Sequence, residues 1–349
     1  MQHLGSELEQ SLWQVFDVDL TKDQSERSQQ HKGFARDYRI PPWSSIKPDD
    51  LWTAPESLRE SSYLLAGLQA DSNLQEAFEV RFDRPFYIFI EYDRERRSFD
   101  ITETIKLVKT TVAGSRVESA PDLFYECLTR DIISRRDVVQ HVQAFLYLKE
   151  QLSEYGSLSE DSLLECHRIL TNKIPSSKGF QGYRGQHRIC EISVGKTLKL
   201  RTGEEIYCPP ADKVPESMNS WLICYNGALK GSRNPVAAAS ELKTEFLKTH
   251  PFLDGNGRMS RLLFNSLVTN YYPHTLITFG ESKYERLRYR HSVRESIRRK
   301  APGIFSFFAL QRAARSTLQR LEDDLDTDTR IPGLSRIKEN LRLLAEGSR

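Results

Sequence analysis

The segment from His250 to Leu263, HPFLDGNGRMSRLL, places chemically active side chains in the middle of a helical pattern. Asp254 follows His250, a Gly-Asn-Gly turn comes next, and Arg258 and Arg261 come after the turn. A histidine ionises near neutral pH, a carboxylate binds hard cations, and guanidinium groups bind phosphates. The segment therefore combines a base, a metal ligand and an anion site.

The Gly-Asn-Gly turn is suited to binding an anion. Gly255 and Gly257 allow positive φ angles, which turn successive backbone N–H groups toward one point. We predict that a helix begins near Asn256, and the first N–H groups of a helix attract negative charge. Arg258 and Arg261 would share one face of that helix and bind a second anionic group.

Asp254 and His250 add metal binding and proton transfer to this anion site. An acid beside a bound anion is unfavourable unless a cation lies between them, so Asp254 indicates Mg²⁺. His250 ends the preceding helical pattern and can act as a general base toward a hydroxyl group that attacks a phosphate. Each residue alone has a commoner structural role, as a cap, a turn or a solvated face. The joint spacing favours the chemistry.

Helical patterns on both sides of this segment predict an all-α fold with one small β element. Apolar residues at helical spacing predict helices from residue 101 toward 114 and at about residues 136–152, 159–172, 210–226, 235–250, 256–269, 282–299 and 304–325. Residues 182–210 interrupt them with two alternating stretches that predict a β-hairpin.

The chain divides into three regions by composition and pattern. Residues 1–99 form a partly flexible, polar N-terminal region and then a helical lead-in, with small strands suggested at Phe78–Tyr92. The main domain is predicted at residues 100–312. A C-terminal helical tail is predicted at residues 313–349.

Composition indicates a cytoplasmic protein without a membrane or nucleic-acid partner. The net charge of the 349 residues is +2, and no apolar run approaches the roughly 18 residues of a membrane helix. The N-terminus lacks a signal-peptide pattern, so we expect no export by that route. The five cysteines form no CxxC pair, which argues against a disulfide framework or a zinc site.

HPFLDGNGRMSR resembles the signature of the Fic (Fic/Doc) family, H-P-F-x-D/E-G-N-G-R-x-x-R, at every fixed position. GYRGQHRICEISVG and YCPPADKVPESM resemble the segments of that family that form a flap and a Pro-Pro turn. The similarity covers about Asp100 to Phe308. It implies a mainly helical core with a β-hairpin flap over the active site.

The resemblance also implies an enzyme that transfers AMP from ATP to a Ser, Thr or Tyr hydroxyl of a target protein, with Mg²⁺, and releases pyrophosphate. His250 would be the base and Asp254 the metal ligand. The nucleotide would contact Gly255, Asn256, Gly257, Arg258, Arg261, Asn265 and Tyr284, and the flap that docks the target would include Ile189, Ile192, Val194, Ile206 and Tyr207. Family members that phosphorylate instead carry lysine at the position of Gly257, so this glycine favours adenylyl transfer.

The stretch AGSRVES, Ala113 to Ser119, resembles the inhibitory helix that one subclass of the family carries N-terminal to its core. Glu118 would pair with Arg261 and compete with the γ-phosphate of ATP. Gly114 and Ser119 depart from the family pattern, at positions that cap or terminate this helix. Glu346 near the C-terminus is a weaker candidate for the same role.

Two alternative functions remain at this point. The resemblance is compatible with removal of AMP from a modified target, which some family members perform with the inhibitory glutamate. A different class is a non-catalytic module that senses ATP. Intact His250 and Asp254 favour the enzyme. Members of the family often dimerise, so a homodimer is compatible with the resemblance.

Overall fold

A computed structural model describes much of the chain, including the whole His250–Leu263 segment. The described residues are 38–40, 44, 46, 51, 54–62, 101–112, 130–174, 182–194, 206–231, 234–272, 275–280, 282–324 and 333–346. Glu118 and the strands suggested at Phe78–Tyr92 lie outside these ranges.

Helices dominate the described residues, which confirms the prediction of a mainly helical fold. Their bounds are α1 Ile101–Val112, α2 Arg130–Tyr155, α3 Glu160–Thr171, α4 Val214–Lys230, α5 Pro235–Thr249, α6 Asn256–Tyr271, α7 Lys283–Arg299, α8 Gly303–Asp324 and α9 Leu334–Glu346. Residues 54–62 are also helical, and residues 211–213 form a 3₁₀ turn before α4.

Local sequence signals explain the sharp turn between α2 and α3. Gly156 adopts a φ of +63° and its N–H donates to the carbonyl of Leu152 at 3.0 Å. Glycine commonly ends a helix in this way because it has no side chain to clash. Ser159 then caps α3, since its hydroxyl accepts the N–H of Ser162 at 3.0 Å.

A short antiparallel pair lies between α3 and α4. Strand β1, Ser193–Val194, pairs with β2, Ile206–Tyr207, with Ser193 opposite Tyr207 and Val194 opposite Ile206. The residues that would connect them, 195–205, lie outside the described part of the chain. The larger hairpin flap over the active site therefore stays a prediction.

The chain forms two compact units that alternate along the sequence. One unit contains residues 1–86, 230–244 and 267–349, and the other contains residues 87–229 and 245–266. The division of the sequence at residues 99 and 312 stays a prediction.

The second unit contains the whole His250–Leu263 segment and is built around α2 and α3, which pack along each other. Leu163, Cys166 and Leu170 of α3 are fully buried, and their spacing places them on one face of the helix. The Cys166 thiol donates to the carbonyl of Ala144 on α2, with Sγ and O 3.6 Å apart. This buried face holds α3 against α2. Helix α3 in turn supports the segment that contains the site.

The first unit contains α7, α8 and α9, with α8 packing on both of the others. Lys243 is buried within it, and its Nζ lies 5.1 Å from the ring centroid of Phe279, 5.3 Å from that of Tyr289 and 5.8 Å from that of Phe305. Aromatic faces attract a cation, which offsets part of the cost of burying it. Burial lowers the pKa of Lys243.

A membrane-spanning segment was not expected from the sequence. None of the helices in the described ranges combines the length and apolar character that crossing a membrane requires.

Candidate active site

His250, the predicted base, ends helix α5 with a left-handed backbone. Its N–H donates to the carbonyl of Phe246 at 2.9 Å, and its φ is +50°. Helices often end on a left-handed residue, but glycine is usual there because a side chain makes that conformation unfavourable. Helix α5 itself ends at Thr249, one residue before the predicted end, and His250 follows it directly.

The hydrogen bond of the His250 ring defines its tautomer. Nδ1 lies 3.2 Å from the carbonyl oxygen of Leu247. A carbonyl oxygen only accepts, so Nδ1 of the neutral ring carries the proton and Nε2 carries the lone pair. This is the arrangement that a general base requires.

Asn256 closes the loop that follows His250. Its Oδ1 accepts the N–H of Phe252 at 3.0 Å, and its Nδ2 donates to the carbonyl of Phe252 at 2.6 Å. The amide thus makes both hydrogen bonds to one residue, four positions earlier in the chain. The described contacts of this side chain shape the loop, and its predicted contact with a nucleotide stays a prediction.

Phe252 anchors the same loop in the interior. Its side chain is fully buried. The ring stacks on the ring of His167, with centroids 3.7 Å apart and planes 2° from parallel. Helix α3 therefore forms the support on which the loop rests.

His167 also fixes the loop by hydrogen bonds from both ring nitrogens. Nδ1 accepts the N–H of Gly185 at 3.0 Å, so Nε2 is the nitrogen that carries the proton, and it donates to the carbonyl of Asp254 at 3.0 Å. Burial lowers the pKa of His167 to about 3. The ring is therefore neutral at physiological pH and acts as a structural link.

Gly255 stands at a position that only glycine can occupy without strain. Its φ is +83°, and a Cβ atom there would lie 3.1 Å from Cγ2 of Thr171 and 3.2 Å from Nε2 of His167. The positive φ predicted for the turn is confirmed at Gly255 but is wrong for Gly257, which lies within helix α6. The Gly255 N–H donates to Oδ1 of Asp254 at 2.7 Å, and helix α6 begins at the next residue.

Arg258 and Arg261 follow on α6, in different surroundings. Arg258 is buried, and its Nη1 lies 2.6 Å from Oδ1 of Asp137 on α2. Arg261 is half-buried. Asn265, one turn further on, is fully buried and donates from Nδ2 to the carbonyl of Arg261 at 3.2 Å. The predicted nucleotide contacts of all three stay predictions.

The surroundings of Asp254 fit a Mg²⁺ ion that arrives with phosphates. The residue is half-buried and lies directly before the first turn of α6, whose N–H groups have no acceptor within the helix. Mg²⁺ commonly takes one or two carboxylates and completes its shell with water and phosphate oxygens. Within the described ranges, no group of three or more His, Cys, Asp or Glu residues could form an all-protein metal cage.

The remaining predicted site residues are less fully described. Ile189 is 96% exposed and Ile192 is half-buried, while Val194, Ile206 and Tyr207 are described through their backbone pairing. Tyr284 lies in the first turn of α7, within the first unit, and is 69% exposed. The docking and nucleotide roles of these residues stay predictions.

Two supporting residues were not identified from the sequence. Asp137 is the buried partner of Arg258, 121 positions earlier. Arg188 donates to the carbonyl of His250 at 2.9 Å and is itself buried. Arg188 lies in the GYRGQHRICEISVG stretch noted above, but the partner of neither residue could be predicted, because each pairs with a residue distant in sequence.

Known proteins are similar to this chain in sequence and in fold. Residues 157–268 match the model of the Fic/DOC family. Two curated relatives, both named Protein adenylyltransferase Fic, are 25% identical to this chain: the protein of Drosophila willistoni over 227 residues, which are 65% of this chain and 39% of that protein, and the protein of Drosophila virilis over 240 residues, which are 68% and 43%.

Solved structures show the same fold. Fic-1 of C. elegans, residues 134–508, aligns over 92% of this chain and 84% of its own with a TM-score of 0.58 and 16% identity. A Fic-domain-containing signaling protein from Bacteroides thetaiotaomicron aligns over 84% and 96% with a TM-score of 0.54 and 19% identity. At such identities the likeness concerns the fold.

Residues 157–268 are therefore similar to the Fic/DOC family, and the described part of the chain has the fold of the solved Fic structures. The chain spans less than half the length of these curated relatives, at 39% and 43%.

Proposed function

We propose that this chain is a protein adenylyltransferase, which transfers AMP from ATP to a hydroxyl side chain of a target protein. The observation that carries the proposal is the His250 ring, whose Nδ1 is bonded to a backbone carbonyl so that Nε2 carries the lone pair. The complete signature from His250 to Arg261 and the name of the Drosophila relatives support AMP as the transferred group.

The reaction is a displacement at the α-phosphorus of ATP. The target hydroxyl oxygen attacks that phosphorus while its proton passes to Nε2 of His250. The bond between the α-phosphorus and the oxygen that bridges to the β-phosphate breaks, and pyrophosphate leaves with the bonding electrons. AMP remains joined to the target oxygen.

The phosphates are proposed to bind at the start of α6. The backbone of Gly255 to Gly257 offers N–H groups at the positive end of the helix to the α- and β-phosphates. Arg258 supports these phosphates and Arg261 takes the γ-phosphate. Asp254 would hold Mg²⁺, which neutralises phosphate charge when bound. Asn265 is proposed to face the adenosine.

The first experiment is intact-mass analysis of the protein after incubation with ATP and Mg²⁺. We expect the Glu118→Gly variant to gain AMP on itself or on a protein of a cell lysate. The same variant with His250→Ala should gain nothing, because no group takes the hydroxyl proton. His291→Ala is the matched control, since His291 is exposed on α7 and should leave labelling unchanged. Labelling that survives His250→Ala would overturn the assignment of the base.

Glu118 is proposed to keep the enzyme switched off by pairing with Arg261. A carboxylate on this guanidinium would compete with the γ-phosphate for charge-assisted hydrogen bonds. We expect Glu118→Gly to incorporate labelled AMP faster than the wild type. Equal rates in the two proteins would remove autoinhibition from the proposal and leave AMP transfer in place.

The same experiments separate the alternatives. Loss of AMP from a previously modified target, dependent on Glu118, would identify a deadenylylase. Tight ATP binding without any labelled product would identify a non-catalytic ATP-sensing module. A mass increase of one phosphate would identify a kinase. The proposal also includes a target protein that is modified at Ser, Thr or Tyr. It further includes a cytoplasmic location and a homodimer.

A further inference from the structure

Arg188 contacts three consecutive carbonyls at the end of helix α5. Its Nε donates to the carbonyl of His250 at 2.9 Å, and its Nη2 donates to that of Thr249 at 3.4 Å. Its own backbone N–H donates to the carbonyl of Pro251 at 2.8 Å. One residue therefore holds the backbone on both sides of the His250 side chain.

The same guanidinium holds both ends of the segment that contains β1 and β2. Its Nη1 donates to the carbonyl of Cys190 at 3.0 Å, and its Nη2 also donates to the carbonyl of Pro209. Cys190 precedes β1 and Pro209 follows β2. The planar guanidinium group of Arg188 thus connects both ends of the strand-pair segment to the backbone of His250.

These contacts use a property that lysine does not share. The guanidinium is planar and offers five N–H groups in a fixed fork, whereas an ammonium is a compact charge with three. The Arg188 side chain is fully buried, and the nearest carboxylate among its described contacts is that of the exposed Glu191, 4.0 Å away. Carbonyl oxygens therefore compensate most of the buried charge.

We infer that Arg188 is a positioning residue that sets the orientation of the His250 ring. This inference rests on the proposed function. His250 is in the left-handed region at a φ of +50°, a conformation that costs a non-glycine residue roughly 1–2 kcal/mol. The Arg188 contact stabilises the carbonyl of that residue. Without it the backbone relaxes, and the hydrogen bond from Nδ1 to Leu247 is lost.

The consequence for the reaction follows from the tautomer. When the Nδ1 hydrogen bond is lost, the neutral ring divides between its two tautomers, and Nε2 carries a proton in part of the population. The lone pair also moves away from the position of the target hydroxyl. A misplacement of about 1 Å lowers a rate by about 100-fold.

The test compares Arg188→Gln and Arg188→Lys with Arg168→Gln, all in the Glu118→Gly background. Arg168 is an exposed arginine of α3 whose described contact is to Glu165, so its variant controls for loss of one arginine. The ¹⁵N resonances of the His250 ring, assigned by their loss in His250→Ala, report the tautomer. Self-labelling kinetics with ATP report kcat and KM separately.

We expect Arg188→Gln to mix the tautomers of His250 and to lower kcat by about 100-fold, with little change in KM for ATP. Arg188→Lys should show both effects, since one ammonium cannot span these carbonyls. Arg168→Gln should show neither.

An unchanged His250 tautomer in folded Arg188→Gln would overturn the inference. So would a fall in kcat equal to the fall in the fraction of protein that binds ATP, because the remaining molecules would then react at the normal rate. The tautomer does not depend on turnover. Mixed tautomers in Arg188→Gln, together with no labelling by any variant, would reject the adenylyltransferase proposal and still support positioning.

Discussion

Arg258 and Asp137 form an almost completely buried ion pair, with Nη1 2.6 Å from Oδ1 and each side chain 3% exposed. Arg258 also donates to the carbonyl of Leu170 at 3.4 Å. One arginine of the signature segment therefore connects α6 with α2 and α3. A buried charge is tolerated only while its partner is present.

Removing Asp137 should destabilise the fold strongly. We expect Asp137→Ala to lower the free energy of unfolding by about 3–5 kcal/mol, because the Arg258 guanidinium is then buried without its counter-charge. Urea denaturation followed by circular dichroism measures the change. Glu165→Gln is the control, since its pair with Arg168 is exposed and is worth less than about 1 kcal/mol. A similar small effect for both variants would contradict the buried-charge argument.

Two glycine-to-alanine substitutions should change stability in opposite directions. At Gly255 the φ of +83° and the approach to Thr171 and His167 make a Cβ unfavourable, so Gly255→Ala should destabilise by about 1–3 kcal/mol. At Gly227, within α4, a Cβ would meet nothing within 4 Å, and alanine favours helix by up to about 1 kcal/mol. Melting temperatures of the two variants test this, and a shift of both in the same direction would contradict it.

His167 should make the fold sensitive to acid. In the unfolded chain its pKa is near the ordinary 6.5, and in the fold burial lowers that pKa to about 3. Between these values the unfolded state binds more protons, so stability falls as pH falls, by up to about 1.4 kcal/mol for each pH unit. Urea midpoints at pH 7.5, 6 and 5 measure the slope.

The matched control for this pH dependence is His167→Gln. A glutamine amide can accept from Gly185 and donate to Asp254 as the neutral ring does, but it does not titrate. Its slope should be shallower than that of the wild type, with a remainder from His187, whose pKa burial also lowers. Equal slopes in the two proteins would mean that His167 does not set the acid sensitivity.

The thiols should differ widely in reactivity toward iodoacetamide. Cys190 is exposed, whereas Cys166 is fully buried and burial raises the pKa of its thiol to about 12. The thiolate is the reactive form, so Cys190 should be alkylated in the native protein and Cys166 only after unfolding. Peptide mass spectrometry before and after addition of urea measures both. Native labelling of Cys166 at the rate of Cys190 would show that α3 opens readily.

The elements around the site follow from short-range signals in the sequence. Helix α3 lies one residue inside its predicted bounds at each end, with Ser159 as its cap, because apolar spacing and capping act within a few residues. Helix α5 ends one residue before its predicted end, at Thr249. Helix α2 begins at Arg130, six residues earlier than predicted, and the signals at its start are weak.

The partners of the site could not be predicted in this way. Asp137 lies 121 positions from Arg258, and Arg188 lies 62 positions from His250. Such contacts depend on how helices pack, and side-chain periodicity carries no information about them. The hydrogen bonds of the Asn256 amide to Phe252 illustrate the same limit, because no sequence pattern indicated them.

The left-handed backbone of His250 bears on the balance between thermodynamic stability and activity. At the end of α5 glycine would relieve the unfavourable φ of +50°, so a chain selected for durability alone would carry glycine there. Histidine in its place gives up stability at the residue that the proposed function makes the proton acceptor. If that proposal holds, a replacement of His250 that raises thermal stability should lower turnover.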